Sequence, residues 1–198
     1  ATPILSKGTT ILHTAFGQYL TQEFHVIRIN GQLHVSDNGI YKSGYRFIES
    51  KMIEIIPTLK ANHRTETLKF LEIITPEDTM TSDAHLIAFR NGVYDLETDE
   101  LLPFSPDYVI TNIIPWDYNP EAYSELCDKT LDKMSCNDKE IRAVLEESIG
   151  YTFFRQNELS KSFILTGSGS NGKSTFLDMV KNVLGRPNYV SLDMDELS

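Results

Sequence analysis

Short apolar runs separated by turn residues occupy the first part of the chain. Residues 24–29 and 32–36 flank Asn30-Gly31, a pair that tolerates the positive φ angles of a two-residue hairpin turn. The pattern therefore predicts a β-hairpin. Its predicted cross-strand neighbours are Arg28 with Leu33 and Val26 with Val35.

Apolar residues with the three- and four-residue spacing of a helix follow between about Phe47 and Ile74. Pro57 interrupts this stretch, because proline removes a helical hydrogen bond and clashes with the preceding turn. We therefore predict two helices. Beyond them, three short apolar runs between residues 86 and 104 are separated by turn residues such as Asn91-Gly92. These runs predict a small antiparallel meander.

Helical spacing returns in the second half of the chain. Residues 121–135 predict one amphipathic helix, and Asn137 followed by Glu140 resembles the capping box that begins another. The run Ser162–Thr166 is short, apolar and followed by glycine, which predicts a buried strand. We place a boundary near residues 135–140, between an α+β module and the start of an α/β domain.

Charge and composition narrow the range of functions. The chain has 28 acidic and 18 basic residues and a formal net charge of −10, which disfavours broad contact with nucleic-acid phosphates. Cys127 and Cys136 have no second pair with which to form a metal site, so we expect reduced intracellular thiols. No secretory leader and no membrane-length apolar run is visible. We expect a soluble cytoplasmic protein with no membrane partner.

Residues 167–175 form the clearest functional motif in the sequence, a predicted phosphate-binding loop. Their glycines allow the backbone to turn its N–H groups inward around phosphates. Lys173, the predicted catalytic residue, places a positive charge at the β- and γ-phosphates of ATP, and Ser174 offers a hydroxyl to Mg²⁺. The predicted nucleotide-binding residues are Gly167, Ser168, Gly169, Ser170, Asn171, Gly172, Lys173, Ser174 and Thr175.

The surroundings of this motif favour phosphate binding. It follows the predicted strand and opens a predicted helix, in which Phe176, Val180 and Leu184 recur at core spacing before Gly185 ends it. A glycine-rich connection that binds nothing is the alternative. The agreement of strand, loop and helix with the motif argues against it.

The residues that would hydrolyse a bound nucleotide are not evident in the sequence. A nucleotide hydrolase site needs a carboxylate after a second strand and usually an arginine from a neighbour. Asp193, Asp195 and Glu196 are candidates, but the apolar run before them is short and we favour the polar start of a helix. We therefore expect the catalytic half to be missing and the chain to end partway through its fold.

Several stretches resemble the superfamily 3 helicase domain of phage and plasmid primases and of the poxvirus primase-helicase. Two further stretches resemble the connecting domain that precedes the helicase in these proteins, and a third stretch, further upstream, shows a weaker similarity. The helicase-like stretches are 147–151, 171–174 and 184–185. Those similar to the connecting domain are 91–96 and 104–107, and the weaker similarity is at 37–41.

The resemblance implies a ring-forming ATPase, commonly a hexamer, that moves along single-stranded DNA and unwinds forked DNA. Such a protein would replicate a phage or plasmid-like element in the host cytoplasm. It also implies that Lys173 and Ser174 bind ATP and Mg²⁺. The family's acidic second motif, polar third motif and arginine finger match no residue here, and no primase constellation of paired aspartates with a histidine is evident.

These observations predict an α/β plus α+β protein in two domains. Residues 1–136 would form an α+β connecting domain of primase-helicase type. Residues 137–198 would form the first strand, P-loop and helix of a P-loop NTPase domain of AAA+-like type. The leading hypothesis is an ATP-dependent DNA helicase, of which this chain is an incomplete, inactive fragment. The alternative is a non-catalytic module that docks DNA or a partner protein through residues 1–135. A third class, a small P-loop kinase, is disfavoured because a kinase also needs an acceptor site after the loop, and little chain remains for one.

Other candidate residues have ordinary explanations. His25 and His34 lack a third metal ligand and are expected to be surface histidines. Trp116 is expected to pack the linker against the motor domain. A group of basic residues could form a surface that contacts DNA, but charged residues in such a pattern more often form a solvent-exposed helix face. Its members are Lys42, Arg46, Lys51, Lys60, His63, Arg64 and Lys69.

Overall fold

A computed structural model describes residues 6–7, 10–75, 77–169, 171–193 and 195. The chain divides into two compact units, one formed by Ala1–Ser82 with Phe104–Thr111 and the other by Asp83–Pro103 with Asn112–Ser198. The strands are β1 (Ser6–Lys7), β2 (Thr10–Ile11), β3 (Ile27–Ile29), β4 (Gln32–Asp37), β5 (Ile40–Ser43), β6 (Leu86–Phe89), β7 (Gly92–Asp95) and β8 (Glu100–Leu102). The helices are α1 (His13–Phe24), α2 (Tyr45–Ile55), α3 (Ala61–Ile74), α4 (Glu125–Met134), α5 (Lys139–Tyr151) and α6 (Lys173–Leu184).

The predicted hairpin forms the centre of the first unit. Strands β3, β4 and β5 make an antiparallel sheet in that order, and Arg28 lies opposite Leu33 as predicted. Asn30 and Gly31 have φ angles of 49° and 76°, so the two-residue turn is the expected one. Strand β3 is shorter than predicted, because Phe24 ends α1 and Val26 precedes the strand.

Helix α1 was not predicted, although the four-residue spacing of Phe16, Leu20 and Phe24 could have revealed it. Its start carries no side-chain cap, and glycine and threonine weaken its helix propensity. A Cβ at Gly17 would collide with the ring of Phe70 on α3. The absence of a side chain at Gly17 therefore lets α1 and α3 approach closely.

A large hydrophobic core stabilises the first unit. The predicted helices α2 and α3 are confirmed, and both contribute to the core. The core residues come from α1, β4, α2 and α3 and from the segments around them. They are Phe16, Leu20, Val26, Leu33, Val35, Ile48, Met52, Leu59, Leu68 and Leu71. This unit therefore buries large apolar side chains from every one of its longer elements.

Polar contacts tie the sheet of the first unit to its helices. Arg28 donates from Nε to the carbonyl oxygen of Thr75 at 2.7 Å and pairs with Glu72 at 3.0 Å. Asp37 accepts from Lys42 at 2.7 Å and from Lys51 at 2.9 Å. Hydrogen bonds to charged groups are stronger than neutral ones. These contacts fix the end of α3 beside β3, and α2 beside β4.

The predicted meander is confirmed in the second unit. Strands β6, β7 and β8 pair antiparallel in that order. Arg155, which follows α5, donates to the carbonyl oxygens of Leu86 at 2.9 Å and Asp83 at 2.6 Å. Burial lowers the pKa of Arg155 below its usual value. The guanidinium thus connects the end of α5 to the start of β6.

Two predictions in the second unit are wrong. Ser162–Thr166 is not a strand, and Ile164 is 84% exposed. A buried strand forms only when neighbouring strands satisfy its backbone, and no described strand pairs with this run. The start of α5 differs by one residue, because Asp138 rather than Asn137 accepts hydrogen bonds from Glu140 N and Ile141 N.

The described residues are therefore an α+β structure with two three-stranded antiparallel sheets and helices. The two compact units are defined by contacts within the chain, and each consists of two separate stretches of sequence. The predicted domains, residues 1–136 and 137–198, are defined instead by resemblance to two parts of the primase-helicases, and they stay a prediction.

Candidate nucleotide-binding site

The predicted phosphate-binding loop leads directly into α6. Gly167 and Gly172 have φ angles of +152° and +87°, a range that other residues rarely adopt. A Cβ at Gly167 would also collide with the side chain of Asn171. Gly169 has open space around it and no such φ angle. The loop therefore needs glycine at 167 and 172; Ser170 lies outside the described residues.

Lys173 is the first residue of α6, and its side chain turns back over the loop. Its Nζ donates to the carbonyl oxygen of Gly167 at 3.1 Å and to Oδ1 of Asn171 at 2.7 Å. Both acceptors are neutral oxygens. A phosphate oxygen would be a stronger acceptor for this group than either neutral oxygen.

Hydroxyl and backbone N–H groups gather at the start of α6. Ser174 and Thr175 are exposed in its first turn. The first N–H groups of a helix have no partner within it and carry the positive end of the helix dipole. A concavity of about 450 Å³ is lined by Gly169, Asn171, Gly172, Lys173, Ser174 and Thr175.

These groups fit the phosphates of ATP with Mg²⁺. A lysine, two hydroxyls and a helix N-terminus face one concavity, and these are the groups that bind a nucleotide's phosphate chain. Ser174 would contact Mg²⁺ through its hydroxyl. Phe176 is buried directly after these residues and anchors the first turn of α6.

Trp116, Asn188 and a small core hold the other end of α6. The indole N–H of Trp116 donates to the carbonyl oxygen of Asn182 at 2.9 Å, so this residue contacts α6, and its packing against a motor domain stays a prediction. Asn188 donates to the carbonyl oxygen of Leu184 at 2.8 Å. Leu184 itself is buried with Ile87 and Ile114. The carbonyl oxygens of Asn182 and Leu184, which lack partners within the helix, are thus satisfied.

The turn between α4 and α5 lies beside the loop. Arg142 on α5 donates to carboxylate oxygens of Asp128 and Asp132 on α4, at 2.5 Å in the case of Asp132. The hydrogen bond with Asp128 is the main cause of a raised pKa for Arg142. Met134, at the end of α4, has its Cε 3.2 Å from the place that a Cβ on Gly172 would occupy. The absence of a Cβ at Gly172 thus lets this methionine pack on the loop backbone.

Not every predicted site residue joins this group. Asp193 lies in irregular chain, whereas residues 194 and 196–198 lie outside the described residues, so the helix predicted to start there stays a prediction. His34 is buried, with Nδ1 2.9 Å from the carbonyl oxygen of Gln32, which corrects the expectation of a surface histidine. Within residues 6–7, 10–75, 77–169, 171–193 and 195, no group of three or more histidine, cysteine or acidic residues could hold a metal ion.

Sequence reasoning missed Met134, Ile141 and Leu145, which lie against the loop. The spacing of Ile141 and Leu145 predicted a helix, and their apolar character was assigned to a core. Ile141 is nevertheless 50% exposed. Only the packing of α4 and α5 beside the loop reveals this arrangement.

Comparison with known proteins identifies the family. Residues 19–136, more than half of the chain, match the family model described as "D5 N terminal like". The chain belongs to this D5-like primase-helicase family.

A viral relative of this D5-family chain carries a helicase name. "Putative helicase L207/L206" of Acanthamoeba polyphaga mimivirus is 31% identical over 106 residues. The match covers 51% of this chain and 11% of the viral protein. The D5-family chain therefore corresponds to a small part of that relative and is related to the replication primase-helicases.

No described helix of the D5-family chain is both long and apolar enough to cross a membrane.

Proposed function

We propose that this chain supplies the ATP-binding loop of a D5-type replicative DNA helicase. The observation that carries the proposal is the loop before α6. Gly167 and Gly172 have the φ angles that such a loop needs, and the Lys173 ammonium is turned into it. Membership of the primase-helicase family supports the same conclusion.

The residues would have distinct roles in binding. Lys173 would hold the β- and γ-phosphates, backbone N–H groups of the loop would surround them, and Ser174 would position Mg²⁺. Bound Mg²⁺ neutralises charge that develops on the phosphates during hydrolysis. These residues bind and orient the nucleotide. Hydrolysis also requires a carboxylate and an arginine finger, which we do not assign to any described residue.

The remaining features of the proposal come from the family resemblance. We propose a protein of superfamily 3 with an AAA+-like motor that assembles as a hexamer and moves along single-stranded DNA. We propose a DNA contact confined to a local surface, because the net charge of −10 disfavours binding across the whole chain.

The experiment compares the full-length protein with Lys173→Ala and with Lys181→Ala. Lys181 lies on the same helix but in its last turn, near Asp178, and serves as the control. We expect Lys173→Ala to weaken Mg-ATP binding at least about tenfold, since a charged hydrogen bond to phosphate is lost, and to abolish DNA-stimulated ATP hydrolysis. Lys181→Ala should change neither. Equal binding by all three proteins would overturn the proposal.

A second candidate function is a module that docks DNA through the first unit. The family match lies at residues 19–136, outside the loop, and Arg46, Lys60 and Lys69 are exposed. Lys42, Lys51 and Arg64 are instead paired with acidic residues of the same unit. This candidate predicts that replacing Arg46, Lys60 and Lys69 with glutamate abolishes retention of single-stranded DNA in a salt-dependent binding assay, while Lys173→Ala leaves it unchanged.

A further inference from the structure

A second concavity opens beside the phosphate loop on the α4–α5 side. It measures about 200 Å³ and shares Asn171, Gly172 and Lys173 with the concavity at the start of α6. Its other walls are mainly apolar. We call it the apolar cleft and define it by Met134, Ile141, Leu145, Ile164 and Phe176.

We propose that the apolar cleft binds the base of the nucleotide whose phosphates are held by the loop. This inference rests on the proposed function, because the base can be placed only after the phosphates are. It identifies Met134, Ile141 and Leu145 as residues that contact the nucleotide.

The first argument is that the apolar cleft is continuous with the concavity at the start of α6. Met134 packs on the backbone of Gly172, with its Cε at 3.2 Å and its Sδ at 3.9 Å from the position of a Cβ there. The same glycine lines the concavity that faces Lys173 and Ser174. A ligand bound at Lys173 therefore has an apolar wall directly beside it.

The chemistry of the walls is the second argument. Ligand sites are mostly apolar with a few polar groups, and a heterocyclic base has two apolar faces. Ile141 and Ile164 leave large apolar surfaces exposed on the walls of the cleft. Methionine adapts its shape and makes favourable contacts with aromatic rings. A base inserted there would cover these side chains.

The size of the cleft is the third argument. Its volume of about 200 Å³ is below the roughly 300–1,000 Å³ of pockets that enclose a whole drug-sized molecule. The cleft can take a ring system but not an entire nucleotide. The phosphates would therefore stay in the neighbouring concavity, beside Lys173.

The test separates the base from the phosphates. Binding of Mg-ATP and of Mg-tripolyphosphate to the full-length protein is measured by calorimetry for the unaltered protein, Ile141→Glu and Val144→Glu. Val144 is on the same helix, is 54% exposed and does not line the cleft, so it is a matched control. Ile141→Glu should weaken Mg-ATP binding about tenfold, the loss expected when a large apolar contact is replaced by a charge, and leave tripolyphosphate binding unchanged. Val144→Glu should change neither.

The other outcomes overturn the inference in distinguishable ways. If the unaltered protein binds ATP and tripolyphosphate equally well, the base is not held, although the proposed function survives. If Ile141→Glu weakens both ligands equally or lowers the melting temperature, the cleft supports the loop or is covered by protein. If neither ligand binds and Lys173→Ala makes no difference, the proposed function itself has failed.

A photolabelling experiment gives an independent readout. Azido-adenosine triphosphate carries its reactive group on the base, so labelled peptides report the position of the base. We expect labelling within residues 134–145 or at Ile164, and its suppression by excess ATP. Labelling confined to other parts of the protein would overturn the inference.

Discussion

The helices of the two compact units are held in place in different ways. The residues that precede helices α1, α2 and α3 of the first unit are Leu12, Gly44 and Lys60, and none of them makes a side-chain hydrogen bond to the start of its helix. In the second unit, α4 and α5 are preceded by Ser124 and Asp138, whose side chains accept hydrogen bonds from the first turn.

Burial of apolar side chains is greater in the first unit, which lacks the side-chain caps of the second. The first unit places Phe16, Met52 and Leu71 in a core with no exposed surface. In the second unit, many apolar side chains around the loop and α6 are exposed, among them Phe163, Ile164 and Leu177. The first unit thus depends mainly on tertiary packing, whereas the second unit adds side-chain caps at the starts of α4 and α5.

The largest expected effect contrasts two leucines on helices. Leu71→Ala removes a fully buried side chain from α3 and should lower the free energy of unfolding by about 2–5 kcal/mol. Leu177→Ala on α6, where the leucine is 47% exposed, should cost less than about 1 kcal/mol. Urea denaturation of both variants checks this. Equal losses would show that α6 has a core comparable to that of the first unit.

The next effect concerns the glycines of the loop. Gly172→Ala forces a side chain into a left-handed conformation beside Met134, which should cost about 1–3 kcal/mol and weaken nucleotide binding. Gly169→Ala should be close to neutral, because space is open there and φ is not positive. Thermal denaturation and ATP titration of the two variants make the comparison. A neutral Gly172→Ala would contradict the loop geometry.

A smaller effect tests the capping difference directly. Asp138→Ala removes the side-chain acceptor at the start of α5 and should cost about 1 kcal/mol. Lys60→Ala at the start of α3 removes no capping hydrogen bond and should change stability little. Helix content and urea midpoints of the two variants report the difference. A larger loss for Lys60→Ala would reverse the contrast between the units.

The smallest effect concerns pH and ion pairs. Burial raises the pKa of Asp37, but hydrogen bonds from Lys42 and Lys51 outweigh it and hold the pKa below its usual value. Because the folded pKa is depressed, the carboxylate stabilises the fold fully above its unfolded pKa of roughly 4, and this stability is lost as the pH falls through the folded pKa.

Asp37→Asn should therefore lower stability by up to about 1 kcal/mol near neutral pH, and its difference from the unaltered protein should shrink below roughly pH 4. Asp178→Asn removes an exposed pairing with Lys181, at 3.9 Å, and serves as the control. Urea denaturation across this pH range measures both. A constant difference for Asp37→Asn would argue against the ion pairs.

Much of the fold could be predicted where the signal is local. The hairpin turn at Asn30-Gly31 and the end of α6 at Gly185 depend on glycine in left-handed backbone, which the sequence displays. Helix α1 was missed because its start has no cap and its packing depends on Phe70, far along the chain. The strand at 162–166 was predicted wrongly because an apolar run does not reveal whether other strands will pair with it.

The same division applies to the candidate site. Glycine, lysine and serine at their positions in the loop already predict phosphate binding from the sequence alone, because backbone freedom and charge belong to single residues. The sequence could not show that Met134, Ile141 and Leu145 lie against that loop. Their contact arises from α4 and α5 packing through Arg142 and its carboxylate partners. Such contacts join residues far apart in the chain, so tertiary structure alone decided them.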